Sequence, residues 1–282
     1  SAGSSTVYPL SEAIEKLFEE EGYTGQHTLS SIGSGAGFER FCKTGEIDIA
    51  NASRGIKDAE KELCAALTPA RTPIEFRVGT DAIAVVVSKE NTFLTNVTME
   101  ELALIFTTAQ KWSDVNPAWP AEDILRYTPG TDSGTFDFFT EVVVQKPQKL
   151  EKLDEAKALV LAASNLQTSE DDNTLVQGVE GSPYAIGYFG FAYYNDQADK
   201  LTAISVDDVA PSFDTAEDGS YKLSRPLFIY SDAGIIKSKP QVGAFINFYL
   251  TRVNEVIGEV GYFPASEEAL NEAKMKLAEI LK

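Results

Sequence analysis

The chain has 282 residues, with 24 Lys plus Arg against 43 Asp plus Glu, a formal charge of −19, and 43% hydrophobic residues. That balance excludes a disordered or fibrous chain, and the acidic field argues against nucleic acid or an anionic membrane surface as partner, because both would be repelled. At roughly 150 residues per domain, the length suggests two domains that each bury a core of their own.

The predicted elements alternate between helix and strand, the pattern of an α/β protein with mainly parallel sheets. The start, Ser1-Ala2-Gly3-Ser4-Ser5, carries no basic-then-apolar leader and reads as a mature or trimmed product. A helix follows from about Pro9 to Glu20, with Leu10, Ile14, Leu17 and Phe18 on one face. His27, the single histidine, lies on the approach to a strand from Thr28 to Ile32 and is read as a surface residue. One histidine leaves little room for Ser-His-Asp hydrolysis or a His-rich zinc site. The turn Gly33-Ser34-Gly35-Ala36-Gly37 leads into a helix through Phe38, Phe41 and Cys42, and a strand from Ile47 to Ala50 closes this βαβ unit. A further helix, Lys57 to Leu67, carries Cys64. Two cysteines fit no zinc spacing, which leaves a disulfide or two buried thiols. A bridge would tie neighbouring helices and contribute about 3 kcal/mol by closing its loop.

From Glu75 to Val87 the chain is β-rich with a continuous apolar end, the mark of a strand buried on both faces. A second such run is Arg225 to Tyr230. If both cross between domains, residues 1–81 and 229–282 form a discontinuous first lobe, and 82–228 an inserted second lobe. Such an architecture places a ligand in the cleft between lobes, where strand ends and helix starts meet. Ser164 to Asp172 and Ser212 to Ser220 read as solvated loops. The aromatic run Gly187 to Tyr194 reads as core packing of a strand and helix start rather than a ligand box, and Glu19-Glu20-Glu21 and Glu170-Asp171-Asp172 read as solvated charge, with no EF-hand pattern. The last helix, Ser266 to Leu281, presents an apolar stripe for docking. No apolar run reaches the ~18 residues of a membrane span.

Three runs share one design, Ser, Thr and Gly directly before an amphipathic helix: Gly3-Ser4-Ser5-Thr6-Val7-Tyr8-Pro9, Gly33-Ser34-Gly35-Ala36-Gly37-Phe38 and Gly130-Thr131-Asp132-Ser133-Gly134-Thr135-Phe136. Helix starts offer unpaired amides, and hydroxyls add donors without net charge. Taken singly, each is an ordinary helix cap. None has the dinucleotide spacing, a P-loop lysine or a G-x-S-x-G elbow. A small tetrahedral oxyanion suits them better than a nucleotide.

Together with Asp48-Ile49-Ala50-Asn51-Ala52-Ser53-Arg54, Leu175-Val176-Gln177-Gly178-Val179 and Ala185-Ile186-Gly187-Tyr188, these runs give a chain that resembles the PstS family, the periplasmic phosphate-binding proteins of phosphate ABC transporters, most closely its SphX-like branch. The resemblance implies a two-lobed type II periplasmic-binding fold with a two-strand hinge. It implies capture of inorganic phosphate, delivery to a membrane permease, a periplasmic or extracellular location with a lipid anchor as one option, no cofactor and no covalent step. A monomer is expected. The phosphate ligands it implies are Ser5, Thr6 and the Val7 amide, Ser34, Ser53, and Ser133, Gly134 and Thr135.

The chain departs from the family pattern twice. Where an arginine commonly precedes the Ser-Gly-Thr run by four residues stands Pro129, and where an aspartate commonly follows the strand-end serine stands Arg54. The expected arrangement is therefore swapped: Arg54 donates to the anion, while Asp132, or failing it Asp81, accepts the proton of hydrogen phosphate or orients Arg54. The competing reading makes Arg54 a surface partner of Asp58 or Glu60 and Asp132 a helix cap. Other functional readings are a binder of sulfate, molybdate or arsenate, a phosphoester or acyl hydrolase using a Ser-Gly-Thr hydroxyl, and a sensory or adhesive role on the same scaffold.

Overall fold

The computed structural model describes every residue except Asp132. The chain divides into two compact units, one formed by Ser1–Asp81 with Arg225–Lys282 and the other by Ala82–Ser224. The second division falls four residues before the boundary expected at 228/229. The strand Ile74–Ser88 contributes residues to both units, as does Ser224–Ser231.

In the first unit the short strand Ala2–Gly3 lies between Ser30–Ser31 and Ala50–Ala52, parallel to both. Ala50–Ala52 pairs on its other side with Phe228, Ile229 and Tyr230, antiparallel. Alternation along this last strand sorts the two faces of the sheet. Leu227 and Ile229 join Val7, Leu10, Ile14 and the apolar side of helix Pro240–Val256 in one core. Phe228 and Tyr230 join Phe38, Phe41, Ala50, Ala52 and the two cysteines in the other. Cys42 and Cys64 form a disulfide with Cα atoms 3.9 Å apart, joining the helical segment Arg40–Thr44 to helix Asp58–Ala65.

In the second unit Leu125–Pro129 lies between Leu166–Ser169 and Ala185–Gly190, again parallel to both. Ala185–Gly190 pairs antiparallel with Ile83–Val87, and Leu201–Ala203 pairs antiparallel with Val86–Ser88. Parallel pairing thus prevails around the central strand of each unit, and the crossing strands add antiparallel neighbours. Tyr188 stacks on Phe139 with centroids 3.7 Å apart, and Tyr188 and Phe189 are fully buried, so the aromatic run serves the core.

Several boundaries differ from expectation. The strand expected from Thr28 to Ile32 is only Ser30–Ser31, because its partner Ala2–Gly3 offers two residues to pair with. The strand expected from Ile47 to Ala50 lies later, at Ala50–Ala52. The two segments read as loops hold structure: Leu166–Ser169 is a strand, completed by pairing with Leu125–Pro129, and Phe213–Glu217 is a helix started by the Ser212 and Thr215 capping box.

Candidate functional site

In the first unit, three of the selected segments leave the same edge of the sheet. Strands Ala2–Gly3, Ser30–Ser31 and Ala50–Ala52 run parallel, so the residues after each, Ser4 to Thr6, Gly33 to Ser34 and Ser53 to Arg54, emerge together at the carboxyl ends. That edge is where open α/β sheets take ligands. Backbone contact holds it compact. Gly3 has φ 146°, and a Cβ there would run into the Asn51 carbonyl, while a Cβ on Gly37 would lie 2.7 Å from the Gly3 Cα. Glycine at both positions lets helix Ser34–Glu39 sit directly on the strand.

Helix Val7–Glu20 begins at a turn closed by Ser4, whose carbonyl accepts from the Tyr8 amide at 3.0 Å and whose Oγ accepts from the Val7 amide at 3.4 Å. The Val7 amide, expected to face the anion, therefore already has an acceptor in the chain. Ser5 is exposed and Thr6 buried at this start. Ser34 is the first residue of its helix, and its Oγ accepts from the Ser53 amide at 3.1 Å and lies 3.4 Å from Ser53 Oγ. Arg54 follows. Its Nη1 and Nη2 donate to the two carboxylate oxygens of Glu60 at 2.9 and 2.6 Å, Nη1 also donates to the Gly55 carbonyl at 3.0 Å, and the guanidinium lies over the Phe38 ring. The Glu60 partner of the competing reading is thus present. The pair stands at the same edge as Ser34 and Ser53.

In the second unit, Leu125–Pro129 leads to helix Gly134–Phe139, capped by Ser133, whose Oγ accepts from the Thr135 amide at 3.2 Å. Ser133, Gly134 and Thr135 are partly exposed. Asp132, the expected proton acceptor, lies outside the described residues. Asp81, the other candidate, is fully buried in the first unit with Oδ2 2.9 Å from Arg225 Nε. Burial pushes its pKa up and the Arg225 charge pulls it down, with a net rise. The structure joins Asp81 to Arg225 rather than to Arg54 or the serines.

Two sequence readings of charge need correction. His27 is half-buried, edge-on to Phe245 at 4.7 Å between centroids, with Nδ1 3.3 Å from Glu15. Burial pushes its pKa down to about 4, so at neutral pH it is an uncharged imidazole able to donate Nδ1–H to Glu15. The acidic run Glu170-Asp171-Asp172 is not uniformly solvated. Burial, with Asp171 and Glu170 beside it, raises Asp172 from 3.8 to about 6. A folded-state pKa above the ordinary value favours folding only below the ordinary value, and the contribution is lost as pH rises through 6. Asp172→Asn is therefore expected to stabilise the protein by about 1 kcal/mol near pH 8, after discounting for solvent screening, and to change little near pH 4. Thermal melts of both proteins at the two pH values check this; equal midpoints at the higher pH would refute it.

Sequence reasoning missed the arginines that serve the backbone. Arg126, fully buried, donates Nε to the Ile105 carbonyl, Nη2 to that of Ala109, and Nη1 to those of Ile124 at 3.2 Å and Ser164 at 2.6 Å. Burial lowers its pKa to about 10, so it remains charged at neutral pH. Arg71 does the same in the first unit for the Phe41, Ile47 and Gly45 carbonyls. Neither carried a local signal, because all their partners except the Ile124 carbonyl are distant in sequence. Among the described residues no group of three or more His, Cys, Asp or Glu is arranged to hold a metal, and no helix is long and apolar enough to cross a membrane.

Two units, each with parallel strands delivering hydroxyl-bearing turns to one edge, define the class: residues 1–253 match the PBP superfamily domain, and the chain belongs to that superfamily. Within it, the chain belongs to the PstS family. It is 41% identical to SphX of Synechocystis sp. over 97% of this chain and 80% of that protein, and 34% identical to the phosphate-binding protein PstS of Staphylococcus saprophyticus over 99% of this chain and 84% of that one. A solved structure of a possible phosphate-binding protein from Planctomyces limnophilus superposes with a TM-score of 0.89 at 36% identity, covering 100% of this chain and 97% of that one. The fold is accordingly the two-lobed α/β fold of these binding proteins.

Proposed function

We propose that this chain is an extracytoplasmic solute-binding protein that captures inorganic phosphate and delivers it to an ABC permease. The observation that carries the reading is the carboxyl edge of the first unit, where Ser34, Ser53 and Arg54 are hydrogen-bonded or adjacent beside the start of helix Val7–Glu20. The names of the relatives, phosphate-binding proteins among them, support the choice of anion.

Phosphate contacts are assigned to Ser5, Thr6, Ser34, Ser53 and Arg54 from the first unit and to Ser133, Gly134 and Thr135 from the second. Asp132 is assigned as the acceptor for the ligand proton. The net charge of −19 opposes anion approach at long range, so affinity falls to short-range donors: amides, hydroxyls and one guanidinium. A carboxylate acceptor at Asp132 favours a ligand that still carries a proton and leaves sulfate facing an acceptor with no donor. No covalent step is assigned. Ser133 Oγ already accepts from the Thr135 amide, and His27 belongs to the Glu15 and Phe245 environment of the other unit. The protein is assigned as a cofactor-free monomer acting outside the cytoplasm.

Calorimetric titration of phosphate-stripped protein near neutral pH tests this. Tight 1:1 binding of phosphate with no response to sulfate is the expected result. Tighter sulfate binding would reassign the ligand to another oxyanion, and turnover of a chromogenic phosphate ester that Ser133→Ala abolishes would reassign the protein to the hydrolases.

A further inference from the structure

We propose that Glu60 is the positioning residue of the anion site: it holds the Arg54 guanidinium in place and cancels its charge, so that the site favours protonated phosphate over a dianion such as sulfate. This rests on the phosphate reading and deepens it.

The geometry is that of a fork held at several points. Glu60 Oε1 accepts from Arg54 Nη2 at 2.6 Å and Oε2 from Nη1 at 2.9 Å, two side-by-side bonds that fix the guanidinium plane. Glu60 is itself held, because Oε2 also accepts from the Lys57 amide at 2.8 Å at the start of helix Asp58–Ala65. The Phe38 ring, 5.2 Å from Cζ, and the Gly55 carbonyl, 3.0 Å from Nη1, complete the mount. Within it, Nη2 lies close to the turn that carries Ser34: a Cβ built on Gly35 would be 3.9 Å from it. The same turn is tied to the Arg54 loop by the bond from the Ser53 amide to Ser34 Oγ.

Charge follows from this mount. Burial raises the Glu60 pKa, but the bonds from Arg54 and the Lys57 amide outweigh it and leave Glu60 below the usual carboxylate range, ionised wherever phosphate changes its second proton. Arg54 and Glu60 together then present directed N–H groups with little net charge. A second negative charge on the ligand gains little Coulomb energy, and discrimination passes to the ligand's own proton. Other ionisable groups near this mount are already paired. Tyr230, which feels the Arg54 charge, accepts from the Ile56 amide and donates to Glu75, and burial pushes its ionisation far upward. Lys61 is paired with Asp58 at 3.0 Å on the helix that carries Glu60.

Titration of the full chain with inorganic phosphate and with sodium sulfate, at a pH below and a pH above the second ionisation of phosphate, separates the two roles. Glu60→Gln keeps an acceptor for the Lys57 amide and removes the charge. It is expected to raise the affinity for sulfate relative to phosphate at the lower pH about tenfold and to steepen the rise of phosphate affinity with pH. Glu60→Asp keeps the charge on a shorter arm, and is expected to weaken both anions together, about tenfold, with the wild-type ratio and pH profile. A Glu60→Gln profile parallel to wild type, with an unchanged phosphate-to-sulfate ratio, overturns the role of Glu60 alone. Wild-type protein that binds neither anion overturns the phosphate reading itself.

Discussion

Arg126→Met is expected to destabilise the second unit by about 4 kcal/mol, measured as a fall in the urea midpoint of its unfolding transition. Ile105 ends helix Met99–Ile105, and Ala109 lies just past the turn that follows it, so Arg126 supplies donors and a positive charge where a helix end leaves carbonyls without intrahelical partners. Its remaining bonds reach Ile124 and Ser164, on either side of the sheet edge that receives Leu166–Ser169. Methionine matches the volume but offers no donor, leaving the Ile105, Ala109 and Ile124 carbonyls buried without a partner and that of Ser164 partly so, each buried one costing about 1 kcal/mol or more. Arg126→Lys is expected to recover little, because a single ammonium cannot span carbonyls that a planar five-donor group reaches in several directions. A loss below about 1 kcal/mol for Arg126→Met would mean that water replaces the guanidinium at these carbonyls, and that the helix end is less dry than its burial indicates.

Arg54→Ala is expected to weaken phosphate binding by about a hundredfold, the loss of one or two charge-assisted hydrogen bonds worth about 2–3 kcal/mol together. The change should leave the melting temperature within about 3 °C of wild type, since the guanidinium is partly exposed and surface pairs of this kind contribute little to stability. The two measurements are needed together: weak binding with an unchanged melt places Arg54 on the ligand, whereas weak binding with a collapsed melt makes it structural. Near-wild-type affinity would remove Arg54 from the site and leave the anion to the hydroxyls and amides of Ser34, Ser53 and the helix starts.

The parts of this protein that could be read from residues alone are those in which one local pattern answers to one local cause. The apolar run ending Ile74–Ser88 is buried along nearly its whole length and was recognisable because only a strand covered on both faces tolerates such a run. The Ser, Thr and Gly runs were recognisable as helix starts because capping is a contact within a few residues. Ala2–Gly3 was not, since a two-residue strand has no period and exists only because residues 30 and 50 come alongside. Glu60 was visible as one possible partner of Arg54, but as the third residue of its helix it reads equally well as an acceptor for the amide of the residue before the helix, and it serves both purposes. Arg126 was invisible for a different reason: in Leu125-Arg126-Tyr127 an alternating strand would turn a charged residue to solvent, and only carbonyls from residues 105, 109 and 164 make its burial tolerable. Asp172 shows the limit of composition, because a run of three acids looks solvated until a fold takes one of them partly out of water.

The bridge between Cys42 and Cys64 joins the segment that continues from Ser34 to the helix that carries Glu60. The two supports of the Arg54 mount are thereby stapled to each other independently of any ligand. A preparation made in a reducing cytosol starts without that staple, so, if Arg54 holds the anion as proposed, batches that share one sequence but differ in thiol content are expected to differ in anion affinity. Free-thiol titration therefore belongs beside every binding curve, and a dithiol reductant in the assay buffer is a variable of the experiment rather than a preservative.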